Sequence, residues 1–347
     1  STTDLELTYG DVTVPNPSAV GLAERPRPAQ PWTIRAEEPS AETFTLTGLA
    51  GPREFALYDA EPIIYYVDAE ATGDNNSGTS WTDAFPDLQG ALTVATGGDE
   101  IWIAAGTYTP SKQLDASDPS SNDPRTATFE ITGMQNGLGI YGGFAGGETV
   151  RESRDPSANE TILSGDLNGD DGPDTDGDGI PDSGRGDNSY HVLVFNGGNR
   201  IGADVSTNVT RATVLDGVTV TDGNADGSFS NTRGGGLYCD GRGIGNVCSP
   251  QITRTVFTGN AATRGGAIYD DGLGGESSPQ ITGVTFTGNS ANEGGAIYND
   301  GRSDGESSPQ VTNSTFRDNS ASFAAGAIFN DGRSGGESSP QITGSTF

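Results

Sequence analysis

The stretch "SPQITRTVFTGNAATRGGAIYDDG", Ser249 to Gly272, returns as "SPQITGVTFTGNSANEGGAIYNDG" from Ser278 to Gly301 and "SPQVTNSTFRDNSASFAAGAIFNDG" from Ser308 to Gly332. A fourth copy opens with "SPQITGSTF" at Ser339, and a looser one precedes them, with "LDGVTVTDGNA" from Leu215 and "GGGLY" from Gly234. Pro250, Pro279, Pro309 and Pro340 mark steps of 29, 30 and 31 residues. Within each copy apolar residues alternate over short runs, punctuated by Gly, Asn, Asp and Ser. That pattern is strand–turn–strand, with no room for a helix. A unit of this size cannot bury its own apolar face, but stacked copies can, with like residues about 4.8 Å apart. Ile252, Ile281, Val311 and Ile342 then form an aliphatic ladder, and Phe257, Phe286, Phe316 and Phe347 an aromatic one. Asn260, Asn289 and Asn319 can form an amide ladder at a turn. The fold these repeats dictate is all-β: a parallel β-helix.

Upstream of the repeats, "PDLQGALTVA" (Pro86 to Ala95) places Leu88, Ala91, Leu92 and Ala95 on one helical face, with Asp83 and the preceding polar residues as candidate caps. A short helix there would cover the first rung, because a solenoid must hide its open end. "DEIWIAAGTYT" and "ATFEITG" supply further strands, so the solenoid reads as residues 61–347, with regular rungs over 215–347. Residues 1–60 lack the period, contain the Pro-rich link "ERPRPAQP" and two strand-like runs, "ETFTLTGL" and "EFALYDA", and read as an extended arm or small β-unit.

One motif carries sharp chemistry. "DTDGDGIPD" sets Asp174, Asp176, Asp178 and Asp182 at positions 1, 3, 5 and 9 of a loop, with Gly179 at position 6 and the carbonyl of Ile180 at position 7. Alternate carboxylates in a tight turn converge on one hard cation, and Ca²⁺ is the cofactor this predicts. Position 12 is Arg185 where an EF-hand has a bidentate Glu, and no helices flank the loop. The upstream "DLNGDD" repeats the spacing with Asp166, Asn168 and Asp170, which extends the predicted calcium insertion over 166–187. Its role there is to stiffen an insertion between rungs.

The composition sharpens the functional class. Of 347 residues, 53 are Gly, and Asp+Glu outnumber Lys+Arg by 48 to 18, for a net charge of −30. Leu, Ile, Val and Phe supply only 63 residues, a content that in a non-repetitive chain signals disorder. The repeat overrides that prior, since a solenoid needs only thin ladders. So acidic a surface repels phosphate backbones and anionic lipid, which excludes a nucleic-acid partner. No apolar run is long enough to span a bilayer, and no signal peptide precedes Ser1, as in a cytosolic or already processed chain. A single histidine, His191, removes Ser-His-Asp and zincin chemistry. Few Lys (Lys112 alone) and many Asp suit salty surroundings. Cys239 and Cys248, nine positions apart, read as a local disulfide suited to an oxidising compartment, with two free thiols as the alternative.

Recurrent acidic positions (Asp240, Asp271, Asp300 and Asp331; Glu276, Glu306 and Glu337) predict acidic columns, partly neutralised by Arg242, Arg302 and Arg333. They read either as solvated Asp-Gly turns or as weak cation sites. Trp32, Trp81 and Trp102 read as packed rings, with sugar stacking as the alternative, and Asn159, Asn208 and Asn313 sit in glycosylation sequons.

"FTGNAATRGGAIY" (Phe257 to Tyr269) and "FTGNSANEGGAIY" (Phe286 to Tyr298) resemble the paired FxxN and GGA[ILV] repeats of polymorphic outer-membrane protein (Pmp) adhesins. That resemblance covers about residues 215–347 and implies a right-handed β-helix displayed at a bacterial surface. The membrane β-barrel of such adhesins has no counterpart here, so transport and anchoring are not carried over. Tyr65 to Pro110 and Ile162 to Leu193 similarly resemble the opening rungs of secreted bacterial β-helix proteins, and Asp174 to Asp182 looks like a thrombospondin type 3 calcium loop. The functional expectation is an extracellular, calcium-stabilised structural or adhesive protein of the cell surface or matrix. Because "SPQITGSTF" stops mid-rung, it is either part of a longer array or a self-associating, head-to-tail filament subunit. The alternatives are a carbohydrate-binding adhesin fragment, with polysaccharide or cell-surface glycans as partners, and a polysaccharide lyase or glycoside hydrolase. Regular rungs without a unique cluster argue against catalysis, and no catalytic residue is assigned.

Overall fold

The computed structural model describes residues 62–73, 75–114, 123–198 and 208–347, together with the backbones of five strands nearer the N-terminus. Those five are Thr3–Thr8, Val20–Arg25, Thr33–Glu37, Thr43–Leu49 and Glu54–Asp59. They pair antiparallel, the first with the fourth, and the second with both the third and the fifth. The expected strand-like runs are thus the fourth and fifth of these strands, in a β-unit of two small sheets. Trp32 lies outside the described residues.

From Ile64 onward every strand pairs in parallel, and the chain winds as a right-handed β-helix. Its first sheet has eight strands, beginning with Ile64–Val67, Glu100–Ala104 and Gly139–Phe144 and ending with Gln310–Thr312 and Gln341–Thr343. A second sheet of six runs from Gly106–Tyr108 to Thr315–Arg317, and a third of six from Phe129–Thr132 to Ile328–Asp331. Between the second and third lies a narrow four-stranded sheet, Asn224–Ala225 to Ser320–Ala324.

Each rung needs sharp corners, and the same backbone conformation recurs at each. Between the first and second sheets, Gly217, Arg254, Gly283, Asn313 and Gly344 all take positive φ. After the second sheet the corner is Asp222, Gly259, Gly288 and Asp318, again all with positive φ. Left-handed backbone costs a residue with a Cβ about 1–2 kcal/mol, which is why Gly, Asn and Asp dominate these positions.

The predicted ladders are present. Ile252 registers with Leu215 and Ile281, Ile281 with Val311, and Val311 with Ile342. Phe257, Phe286, Phe316 and Phe347 stack with centroids 5.4, 4.7 and 4.7 Å apart. Asn289 Oδ1 accepts from Asn260 Nδ2 at 3.1 Å, and Asn319 Oδ1 from Asn289 Nδ2 at 2.9 Å. Each Asn amide also donates to a main-chain carbonyl one rung back, Val220, Phe257 and Phe286 in turn, which ties every turn to the rung before it. The helix is Leu88–Val94, burying Leu88, Ala91 and Leu92. Its N-cap is Asp87, which accepts from Gly90 N at 2.7 Å, rather than Asp83. Asp83 instead receives the backbone and side-chain N–H of Asn75. Cys239 and Cys248 are disulfide-bonded, with Cα atoms 5.7 Å apart.

Candidate metal loop and its supporting ladders

The acidic insertion forms two carboxylate groups. Asp174, Asp176 and Asp178 bring one oxygen each within 4.8 Å of the others, and Asp166, Asp170 and Asp187 do the same. The first group is organised by its own backbone: Gly177 N and Gly179 N donate to Asp174 at 2.7 and 2.9 Å, Asp178 N to Asp176 at 3.1 Å, and Ile180 N to Asp178 at 2.9 Å. The amides of Gly179 and Gly177 hold the Asp174 carboxyl below its usual range. In the second group Asp166 accepts from the backbone N–H of Gly169, Asp170 and Asp171. Here the neighbouring Asp187 charge, then burial and the Asp166 charge, push the Asp170 carboxyl up.

The sequence-derived ligand set is partly assembled. Asp182 lies outside the three-carboxylate group, its carboxylate accepting from the backbone and hydroxyl of Thr175, between Asp174 and Asp176. Asn168 contributes a backbone N–H to Asp187 at 3.1 Å. Asp187 itself was not anticipated: it lies 21 residues after Asp166, and only the return of the loop to the rungs brings the two together. Ile180 has a buried side chain.

The loop lies against the second corner of the repeats. A Cβ on Gly179 would fall 2.4 Å from Gly288 Cα, and one on Gly259 would fall 3.1 Å from Gly179 O. Backbone thus meets backbone, which glycine alone permits. Arg185 anchors the return: its Nη2 donates to Gly223 O at 3.4 Å, and its carbonyl accepts from Asn224 Nδ2 at 3.0 Å. Asn188 Nδ2 ties Asp171 to Asp222 O. Burial pushes the Asp171 carboxyl up to about 6.

The predicted acidic column on the third sheet proves to be a locked network. Tyr238, Tyr269, Tyr298 and Phe329 stack along its outer face, with centroids 5.9, 5.0 and 4.9 Å apart. Each Tyr hydroxyl donates to the Asp one rung on: Tyr238 to Asp271 at 2.6 Å, Tyr269 to Asp300 at 2.6 Å, Tyr298 to Asp331 at 3.1 Å. Arg242, Arg302 and Arg333 each grip the Asp two residues before them through Nε and Nη2. In the rung where Leu273 takes the Arg position, Arg233 and Arg242 reach Asp271 instead, at 3.0 and 3.3 Å. Asp271 and Asp300 are wholly buried, so neither the solvated turn nor the open cation site describes them. The spacing Y-x-D-G-R was visible in sequence at Tyr238–Arg242 and Tyr298–Arg302 (in Phe329–Arg333 Phe replaces Tyr), but which face it occupies was not. Glu276, Glu306 and Glu337 do stack by consecutive bridges, and burial together with Glu276 and Glu337 raises the Glu306 carboxyl.

Outside the first sheet, a cleft of about 390 Å³ is lined by Tyr141, Arg151, Arg154, Asp216, Thr253 and Arg254 among others. Its charges are paired: Arg154 and Arg254 with Asp216, both at 2.8 Å, and Arg151 with Glu100 at 2.6 Å. Trp102 stacks on Phe144 with centroids 4.7 Å apart, and Trp81 Nε1 donates to Glu148 O, so both rings are packed.

The Chlamydia polymorphic membrane protein repeat model matches residues 254–271 and 283–300. Each matched window runs from the first corner through the Phe and Asn ladders to the Tyr–Asp network. No curated protein and no solved structure gives a match to the chain. Among the described residues, no helix is long and apolar enough to cross a membrane.

Proposed function

We propose that this chain is an extracellular or surface-displayed structural β-helix of adhesive type, stiffened by Ca²⁺ bound in the 166–187 loop. The observation that carries the reading is the clasp: two carboxylate groups sit on a loop whose backbone is wedged against Gly259 and Gly288. A divalent ion would relieve the repulsion among Asp174, Asp176 and Asp178, and among Asp166, Asp170 and Asp187, and so hold the loop against three successive rungs. The repeat match supports surface display, because the protein family it describes is a membrane protein of that name. A disulfide in the rungs supports an oxidising location. The reading assigns no catalysis; the cleft beside Tyr141 breaks the repeat but holds its charged groups in closed pairs. Self-association into head-to-tail filaments, and glycan contact, belong to the same proposal.

Calorimetric titration with Ca²⁺, followed by electron microscopy with and without EDTA, tests it. Saturable binding that raises the unfolding temperature supports the clasp, and absence of binding removes it. Monodisperse particles in Ca²⁺ would dismiss the filament. Release of unsaturated uronate from an acidic polysaccharide would replace the structural reading with a lyase.

A further inference from the structure

Inside the coil, one slot recurs on the third sheet. Phe195 registers with Cys239, Cys239 with Asp270, Asp270 with Asn299, and Asn299 with Asn330. Facing this column runs a second: the bridges Val247–Glu276, Glu276–Glu306 and Glu306–Glu337 place the following residues, Cys248, Ser277, Ser307 and Ser338, in line. The slot therefore holds a disulfide in one rung and a polar pair in each of the next three. Ser307 and Ser338 hydroxyls donate one rung back, to the carbonyls of Asp270 and Asn299.

The side-chain column has a direction. Asn299 Nδ2 donates onward to Asn330 Oδ1 at 2.7 Å, which leaves Asn299 Oδ1 as the acceptor at the other end of the same amide. That oxygen has no partner, and neither oxygen of Asp270, one rung below, has one. Asp270, Asn299 and Ser277 are all fully buried. What surrounds Asp270 does not compensate a charge. The rung below presents the Cys239–Cys248 disulfide, the rung above Asn299, and the facing column Ser277, a neutral hydroxyl whose stabilising pull on the carboxylate is outweighed by burial. Among the described residues, the charged group acting on it is Asp271, which shares its sign and is committed to Tyr238, Arg233 and Arg242 on the outer face.

We propose that Asp270 is a neutral carboxylic acid in the folded protein, that its O–H donates to Asn299 Oδ1, and that this proton makes the stacking of these rungs pH-dependent. A buried carboxylate with no cation and only a serine hydroxyl beside it costs several kcal/mol, whereas a protonated one supplies the donor that the amide ladder lacks. Burial pushes the Asp270 carboxyl well up from its ordinary value, in agreement. The sign follows: a carboxyl raised on folding stabilises fully below the unfolded value of about 3.9, and that stability is lost as pH rises toward the folded value.

The test compares the oxidised full chain with Asp270→Asn, an isostere that carries its own donor, in denaturant unfolding from about pH 4 to about pH 9. The variant is expected to gain on the wild type as pH rises, by up to tenfold in the folding equilibrium constant per pH unit between the unfolded and folded values of Asp270. A gap that does not change with pH, or a wild type that gains on the variant, overturns the proposal. Infrared spectroscopy of the folded chain at neutral pH gives a second readout independent of stability. A protonated-carboxyl C=O band present in the wild type and lost in Asp270→Asn is expected, and an identical spectrum in both overturns the assignment.

Discussion

Two glycines of the acidic loop separate backbone strain from packing. Gly177 and Gly179 both have left-handed φ, +81° and +90°, and both amides donate to Asp174. Alanine at either keeps the amide and pays about 1–2 kcal/mol for the left-handed backbone. Beyond that they differ. A Cβ on Gly177 meets nothing within 4 Å, whereas one on Gly179 lands 2.4 Å from Gly288 Cα. Ordinary contact begins near 3.4 Å, so loop or rung must give by about 1 Å. Backbone on both sides means no rotamer can relieve it, and overpacking of that kind costs about 1–3 kcal/mol more. Gly179→Ala is therefore expected to loosen the loop about 5- to 150-fold more than Gly177→Ala, since 1.4 kcal/mol is tenfold. Amide hydrogen exchange read over 166–187 and over the corners at Gly259 and Gly288, in Ca²⁺ and in EDTA, measures this directly. Equal protection in the two variants would refute the claim that the loop is held by its seat on the rungs rather than by its internal hydrogen bonds.

Other outcomes follow from the ladders. Asp300→Ala strands the Tyr269 hydroxyl and the Arg302 guanidinium and is expected to cost about 3–5 kcal/mol in denaturant unfolding, with Asp300→Asn recovering part of it. Phe286→Ala opens a hole between rings at 5.4 and 4.7 Å and is expected to cost about 3–5 kcal/mol, with loss of exchange protection in the adjoining rungs first. Acid should weaken the Tyr–Asp–Arg network at Asp300 and Asp331, though not at Asp271, whose burial raises its carboxyl to about 6. The Arg333 grip holds Asp331 down at about 2, and at Asp300 burial is outweighed by Arg302, leaving that carboxyl low as well. Carboxyls lowered on folding contribute stability that is present above about pH 4 and lost as pH falls toward 2, so unfolding midpoints should drop through that window. Arg333→Gln should shrink the drop.

Much of this architecture was legible in the chain. A period of 29 to 31 residues with alternating apolar runs allows only stacked parallel strands, because no single unit can bury its face. The Ile/Val, Phe and Asn ladders followed from position within the repeat, as did the Cys239–Cys248 pairing from spacing, with free thiols left open. Asp174, Asp176 and Asp178 were readable as a cluster because a tight loop brings alternate residues together whatever surrounds it.

What depended on long-range placement was not legible. Asp187 joins Asp166 only because the insertion returns to the rung it left, and Gly259 and Gly288 face Gly179 only once the loop lies across two later corners. The Asp column looked solvent-exposed, since Asp-Gly is turn chemistry; Tyr hydroxyls from neighbouring rungs and Arg forks two residues on made it buried and paired. Asp270 and Asp271, adjacent in sequence and chemically identical, received opposite surroundings because successive strand residues face opposite sides of the sheet. The sequence alone determined the rung, its period and its ladders, because those arise from local pattern and identical neighbours. Only the tertiary structure decided which carboxylates are paired, exposed or stranded, because that depends on which other rung each one meets.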